Sequence, residues 1–158
     1  MIMESLMSVS ELYKIAEIEL VYRTNVKASQ RPQVTTSKEV YQILMQCWDR
    51  NKIEFVEQFK ILLLNRAGRV LGIFEVSSGG VSGTVADPKL IFSAALKANA
   101  SSLILAHNHP SGNTAPSEAD RSLTRKVKEA GKLLEISVLD HVIVTTEGYR
   151  SLADEGEM

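Results

Sequence analysis

Two histidines and an aspartate carry the chemistry that the chain offers most directly. His107 and His109 stand two residues apart where an apolar run, Leu103 to Ala106, stops, and Pro110 then forbids regular continuation. Residues two apart on an extended chain project to the same side, so both imidazoles reach one point just beyond the strand end. Asp120 follows in the first turn of a helix expected to start at Ser117, close enough for a third ligand. Two imidazoles and one carboxylate, with the next position left to water, make a catalytic zinc set. A second reading of Ser117–Asp120 is a helix N-cap, with Asp120 serving the cap and the helix dipole. The chain has 3 histidines, and two of them sit at this strand-to-loop switch.

The elements that must position these residues follow from local patterning. From Thr36 to Trp48 apolar residues recur at Val40, Ile43, Leu44, Cys47 and Trp48, one face of a helix with a Ser/Thr cap. Cys47 is expected there as a plain buried thiol. Glu57–Asn65 and Val70–Val76 read as two strands joined by a turn over Asn65–Gly68, with Ser77–Gly80 as a loop. Asp87 before Pro88 opens a helix that ends near Asn99. Leu103–Ala106 is a strand, Ser117 to about Ala130 a helix ended by Gly131, and Ile136–Thr145 a strand carrying Asp140 and His141. Tyr149–Ala153 makes a short last strand. Upstream, the chain from Val9 looks helical at first; from Ile15 to Tyr22 it alternates apolar and charged residues as a strand does. Mixed strands and helices around one sheet give an α/β (α+β) class, with residues 1–30 as an N-terminal arm and 31–158 as one domain.

Composition bounds the function. At 158 residues, 44% hydrophobic and 23% charged, the chain is one ordinary globular domain. A net charge of −1 gives no reason to expect a phosphate-binding surface, and Lys126, Lys128, Arg121 and Arg125 alternate with acids on a solvated helix face. One cysteine excludes an internal disulfide and a cysteine-based zinc cluster. No stretch is apolar enough to cross a membrane, and Met1–Met7 lacks a basic region followed by an apolar core. The expected location is the cytoplasm. Met3 and Met7 leave the start of the chain open, and oligomeric state is not readable.

His107-x-His109, seven residues, Ser117, two residues and Asp120 resembles the JAMM (JAB/MPN) metalloprotease signature at each defined position. The text from Ala106 to Gly112, Pro116 to Asp120 and Leu139 to Val144 is similar to the RadC branch of that superfamily, over about Arg31 to Asp154. The resemblance implies a JAB/MPN-like domain, a mixed central sheet flanked by helices with cytidine-deaminase-like layering. It implies one Zn2+ per chain held by His107, His109 and Asp120, and a hydrolase acting on a peptide or isopeptide bond of a protein substrate with metal-activated water. It implies a glutamate base near the first core hairpin, which Glu57 matches, with Glu54 the competitor three residues away. Ser117 matches the family's serine, placed to stabilise an oxyanion. RadC relatives carry a DNA-repair label and commonly begin with a glycine-bearing helix-hairpin-helix region. None is read here, since the first glycine is Gly68, which puts direct nucleic-acid binding in doubt. The alternative function is a non-catalytic DNA-repair or mobile-element accessory module that keeps the metal site. A zinc deaminase needs a Cys-x-x-Cys element and is excluded. Asp140 and His141 are adjacent on a strand, so they face opposite ways: a structural pair, or one of them supports the metal site from behind.

Overall fold

In a computed structural model, which describes residues 14–19, 21–80 and 83–158, the sheet is laid down from the middle of the chain outward. Strands β1 (Gln58–Leu64) and β2 (Val70–Ser78) form an antiparallel hairpin. Its turn is closed by Gly68 at φ +74°, which glycine adopts without strain, and by the Asn65 carboxamide, which accepts from the Ala67 and Arg69 amides. β3 (Ser102–Asn108) adds antiparallel to the other side of β1 and β4 (Ser137–Val144) adds parallel to β3. β5 (Tyr149–Ser151) closes the order β2-β1-β3-β4-β5. With α1 (Ser37–Cys47), α2 (Pro88–Lys97) and α3 (Glu118–Leu133), this is one α+β domain with a mixed sheet, consistent with the JAB/MPN-like layering that the resemblance implies.

Alternation along β3 divides the core. Leu103 and Leu105 face α2 and α3, packing with Phe59, Ile61, Ile91 and Val127. Ile104 and Ala106 face α1, with Val40, Leu44, Trp48 and Val142. β3 is buried along its whole length, the mark of a central strand covered on both faces. His107 continues the α3-facing set, so β3 aims it at the helix that carries Asp120.

Four local expectations are corrected. β2 runs two residues further than Val76, because the Glu57 and Gly79–Gly80 backbones continue the hairpin: Gly79 N–H donates to Glu57 O and Glu57 N–H to Gly80 O. α3 passes through Gly131 to Leu133, and the residue at positive φ is Glu135. Gly131 serves close approach instead, since a Cβ there would lie 2.4 Å from the Ile136 carbonyl oxygen. Cys47 is exposed, because the buried stripe of α1 is turned toward Tyr41 and Met45 and leaves the thiol at its margin. The strand expected over Ile15–Tyr22 is not formed among its described residues, which run exposed. Alternation makes no strand without a neighbour's ladder, and the anchor here is a side chain, the Tyr22 hydroxyl donating to Leu71 O at 2.7 Å. Residues 9–13 and Leu20 of that stretch lie outside the described residues.

Candidate metal centre

The site is assembled at one end of β3 by three short-range devices. His107 is the next-to-last residue of the strand, opposite Phe59 on β1 and Ile143 on β4, and its ring stacks parallel on Phe59 at 5.7 Å between centroids. His109 follows the strand end, its amide bound to Val144 O. The chain then turns sharply at Gly112, φ +84°, and brings the Asn113 carbonyl 2.5 Å from His109 Nδ1. A carbonyl only accepts, so His109 carries a proton on Nδ1 and its Nε2 points into the site. Asp120 reaches the site as the third residue of α3, where Asp120 Oδ2 accepts from the Ser117 amide and Ser117 Oγ accepts from the Asp120 amide. The cap and the ligand reading of Asp120 are therefore compatible: the capping box holds the carboxylate in its aim.

Ligand atoms of Glu57, His107, His109 and Asp120 lie within 4.8 Å of one another. The two Nε2 atoms are 2.9 Å apart, and Asp120 Oδ2 is 3.4 Å from that of His107 and 3.6 Å from that of His109. Tetrahedral zinc with ligands at about 2.0–2.1 Å sets its donors about 3.3–3.4 Å apart. The two separations to Asp120 lie near that spacing and the Nε2 pair is closer than it; the donor chemistry, two nitrogens and one carboxylate oxygen, suits zinc. Glu57 Oε1 stands off at 3.9 Å from His107 Nε2.

Charge and burial reinforce the arrangement. Burial opposes ionisation of Asp120, but the neighbouring His107 and His109 imidazoles and the Ser117 amide outweigh it and hold its carboxyl well below the usual carboxylate range. Hydrogen bonding with Asp120 raises His109 against the opposing effect of burial, with help from the Asn113 carbonyl. Burial raises Glu57, and the nearby histidines only partly offset it. A carboxylate drawn toward neutrality is suited to carry a proton in turnover.

Of the residues singled out from the sequence, Glu57, His107, His109 and Asp120 converge. Ser117 stands one capping contact away on the exposed start of α3. Glu54 is not in the cluster: its carboxylate accepts from the Thr146 hydroxyl at 2.7 Å, on the wall of a polar cavity of about 240 Å³ beside His109. Gly79 and Gly80 hold the Glu57 backbone.

Three further residues shape the site. Asn108 is fully buried, and its carboxamide accepts from the Gln58 amide (2.7 Å) and donates to the carbonyls of Ile53 (2.7 Å) and Val56 (2.9 Å). It ties the segment that ends in Glu57 to the strand that carries His107. His141, also fully buried, stands behind His107, with its Nε2 2.7 Å from His107 Nδ1. Thr124 Oγ1 lies 2.6 Å from the other nitrogen of His141. Asp140 and His141 do face opposite ways, Asp140 accepting from Ser151 and the Ala153 amide. A histidine next to Asp140 inside a mostly apolar strand, and a threonine one helical turn after Asp120, were the available signals.

The RadC-like JAB domain profile matches residues 34–157. A UPF0758 protein of Flavobacterium johnsoniae is 36% identical over 163 residues, covering 95% of this chain and 70% of that protein. One from Rubrobacter xylanophilus is 39% identical over 145 residues, 90% of this chain and 61% of the relative. One from Porphyromonas gingivalis is 48% identical over 101 residues, 63% and 44%. The chain spans between 39% and 70% of the length of these and similar relatives.

Proposed function

The chain belongs to the RadC-like JAB domain family, and on that premise we propose that it is a zinc-dependent hydrolase of the JAMM type, cleaving a peptide or isopeptide bond in a protein substrate. The observation that carries this is the convergence of Glu57, His107, His109 and Asp120 at one end of a buried strand. In this reading His107 and His109 offer unprotonated Nε2 atoms and Asp120 a permanently ionised oxygen to one Zn2+. When bound, the ion supplies Lewis-acid polarisation and lowers the pKa of a water in the open position.

The remaining work falls to the chain's own side chains. Glu57 takes a proton from the attacking water on its carboxylate and delivers it to the leaving amine nitrogen. Its raised pKa lets it hold that proton between the two transfers. The Ser117 oxygen accepts from the Asp120 amide, which leaves the hydroxyl proton free to donate to the oxygen of the carbonyl under attack. The polar cavity beside His109 gives the substrate chain room on that side.

A non-catalytic accessory module would need no base beside the metal ligands, and the placement of Glu57 favours the hydrolase. Any part in DNA repair is assigned to processing a protein, since a net charge of −1 offers the duplex little attraction. A cytoplasmic location belongs to the same proposal, and the exposed free thiol of Cys47 suits a reducing compartment.

The test is turnover of a panel of quenched-fluorescent peptides and isopeptide-linked conjugates. Glu57→Gln keeps zinc and loses at least about a hundredfold in kcat, the scale of general acid–base catalysis; Glu54→Gln stays within about twofold. Full activity in Glu57→Gln, or loss confined to Glu54→Gln, overturns the assignment of the base.

A further inference from the structure

We infer that Thr124 and His141 are positioning residues that fix His107 as its Nδ1–H tautomer, leaving the Nε2 lone pair aimed into the site. The role rests on the proposed metal centre; the tautomer itself does not.

The inference follows from counting protons along a buried chain of contacts. A threonine hydroxyl has one proton, and a carbonyl oxygen can only accept. Thr124 Oγ1 lies 2.7 Å from the main-chain carbonyl of Asp120, one turn back on α3, so the hydroxyl proton goes there. At His141 Nδ1, 2.6 Å away, Thr124 must then accept, which places a proton on Nδ1 of His141. His141 is completely buried, and its two ring nitrogens meet a hydroxyl and an imidazole rather than a carboxylate, so it is neutral. Its Nε2 is therefore an acceptor. The partner at 2.7 Å is His107 Nδ1, which must donate. His107 Nε2 is left without a proton, facing Asp120 Oδ2 and His109 Nε2.

The opposite polarity would run the hydroxyl proton toward His141 and set two acceptors, Thr124 Oγ1 and Asp120 O, against each other at 2.7 Å. It would also put a proton on His107 Nε2, able to donate to His109 Nε2 at 2.9 Å; the shorter bond from the Thr124 hydroxyl to the Asp120 carbonyl decides against it. The chain of bonds begins on the backbone of Asp120, whose side chain enters the same site. One turn of α3 thus sets both the carboxylate and the tautomer of the histidine opposite it. His109 gets the same tautomer locally, from Asn113 O. A ligating histidine commonly donates its other N–H to a fixed acceptor, and losing that acceptor weakens metal binding about 10- to 100-fold.

The experiment uses the full chain, metal-free and 15N-labelled, with long-range 1H–15N correlation spectra of the imidazoles recorded where they are neutral. His107 and His141 are both expected as Nδ1–H tautomers. Thr124→Val removes the acceptor for His141 Nδ1–H while keeping the shape. His141 then moves its proton to Nε2 and donates to His107, and Zn2+ affinity by competitive titration falls about 10- to 100-fold. Thr124→Ser restores both readouts. A His107 Nε2–H tautomer in the wild type overturns the inference, as does Thr124→Val with unchanged spectra and unchanged Zn2+ affinity, whatever its melting temperature. A wild type that binds no Zn2+ yet shows the expected tautomers, lost in Thr124→Val and regained in Thr124→Ser, supports the tautomer lock and counts against the metal centre alone.

Discussion

Replacing Asn108 with alanine should cost the domain about 3 kcal/mol, from three buried hydrogen bonds at about 1 kcal/mol net each. The bonds are those of its carboxamide with the Gln58 amide and the Ile53 and Val56 carbonyls, all between 2.7 and 2.9 Å. Against a stability of about 5–15 kcal/mol for a domain, such a loss moves a urea midpoint well beyond error. Asn108→Asp separates polarity from volume. The carboxylate has nearly the same shape and can still accept from Gln58, but it has no donor for the two carbonyls and brings a buried charge against them. At neutral pH it should destabilise more than alanine does. Both variants loosen the segment that ends in Glu57, so turnover of zinc-loaded protein should fall by more than zinc content does. Urea denaturation of metal-free protein and parallel zinc and turnover measurements decide it. A loss below about 1 kcal/mol in Asn108→Ala, or a milder effect in Asn108→Asp, would refute the reasoning.

Two further outcomes follow from the same geometry. Zn2+ affinity should fall as pH drops, because a proton on His109 Nε2 must leave before the nitrogen can ligate. Asp120 holds that proton, so the decline begins above the ordinary imidazole value of about 6.5; affinity constant between about pH 8 and 6 would contradict it. Gly131→Ala in a helix would ordinarily gain about 1 kcal/mol. Here the added Cβ would meet the Ile136 carbonyl at 2.4 Å and Val138 Cγ2 at 3.2 Å, so calorimetry should show a lower melting temperature rather than a higher one.

What could be read from the residues was whatever lies close along the chain. His107 and His109 share a face because a strand alternates, and Asp120 follows by a capping pattern that can be recognised without a fold. The relay behind His107 depends on pairing between residues 34 apart, where β4 lies parallel to β3 with Leu105 beside His141, a register no local pattern records. Asn108 stands between two ligands with no role legible in the motif, yet its alternation to the other face of β3 is what lets it bind a segment about 50 residues upstream. Cys47 and Gly131 were misjudged for a similar reason. Helical periodicity gives a stripe but not its rotation, and a glycine near a helix end can be answering a neighbour's carbonyl instead of a cap. From Ile15 to Tyr22 the alternation was real, but a strand also needs an edge to join.

In the proposed function His107, His109 and Asp120 hold one Zn2+. Elemental analysis of protein purified without chelator, wild type beside His107→Ala/His109→Ala, addresses it directly. About one zinc per chain in the wild type and none in a folded double variant is the predicted result. Well-folded wild type that carries no zinc and takes none up on titration, or a double variant that keeps a full equivalent, would contradict it.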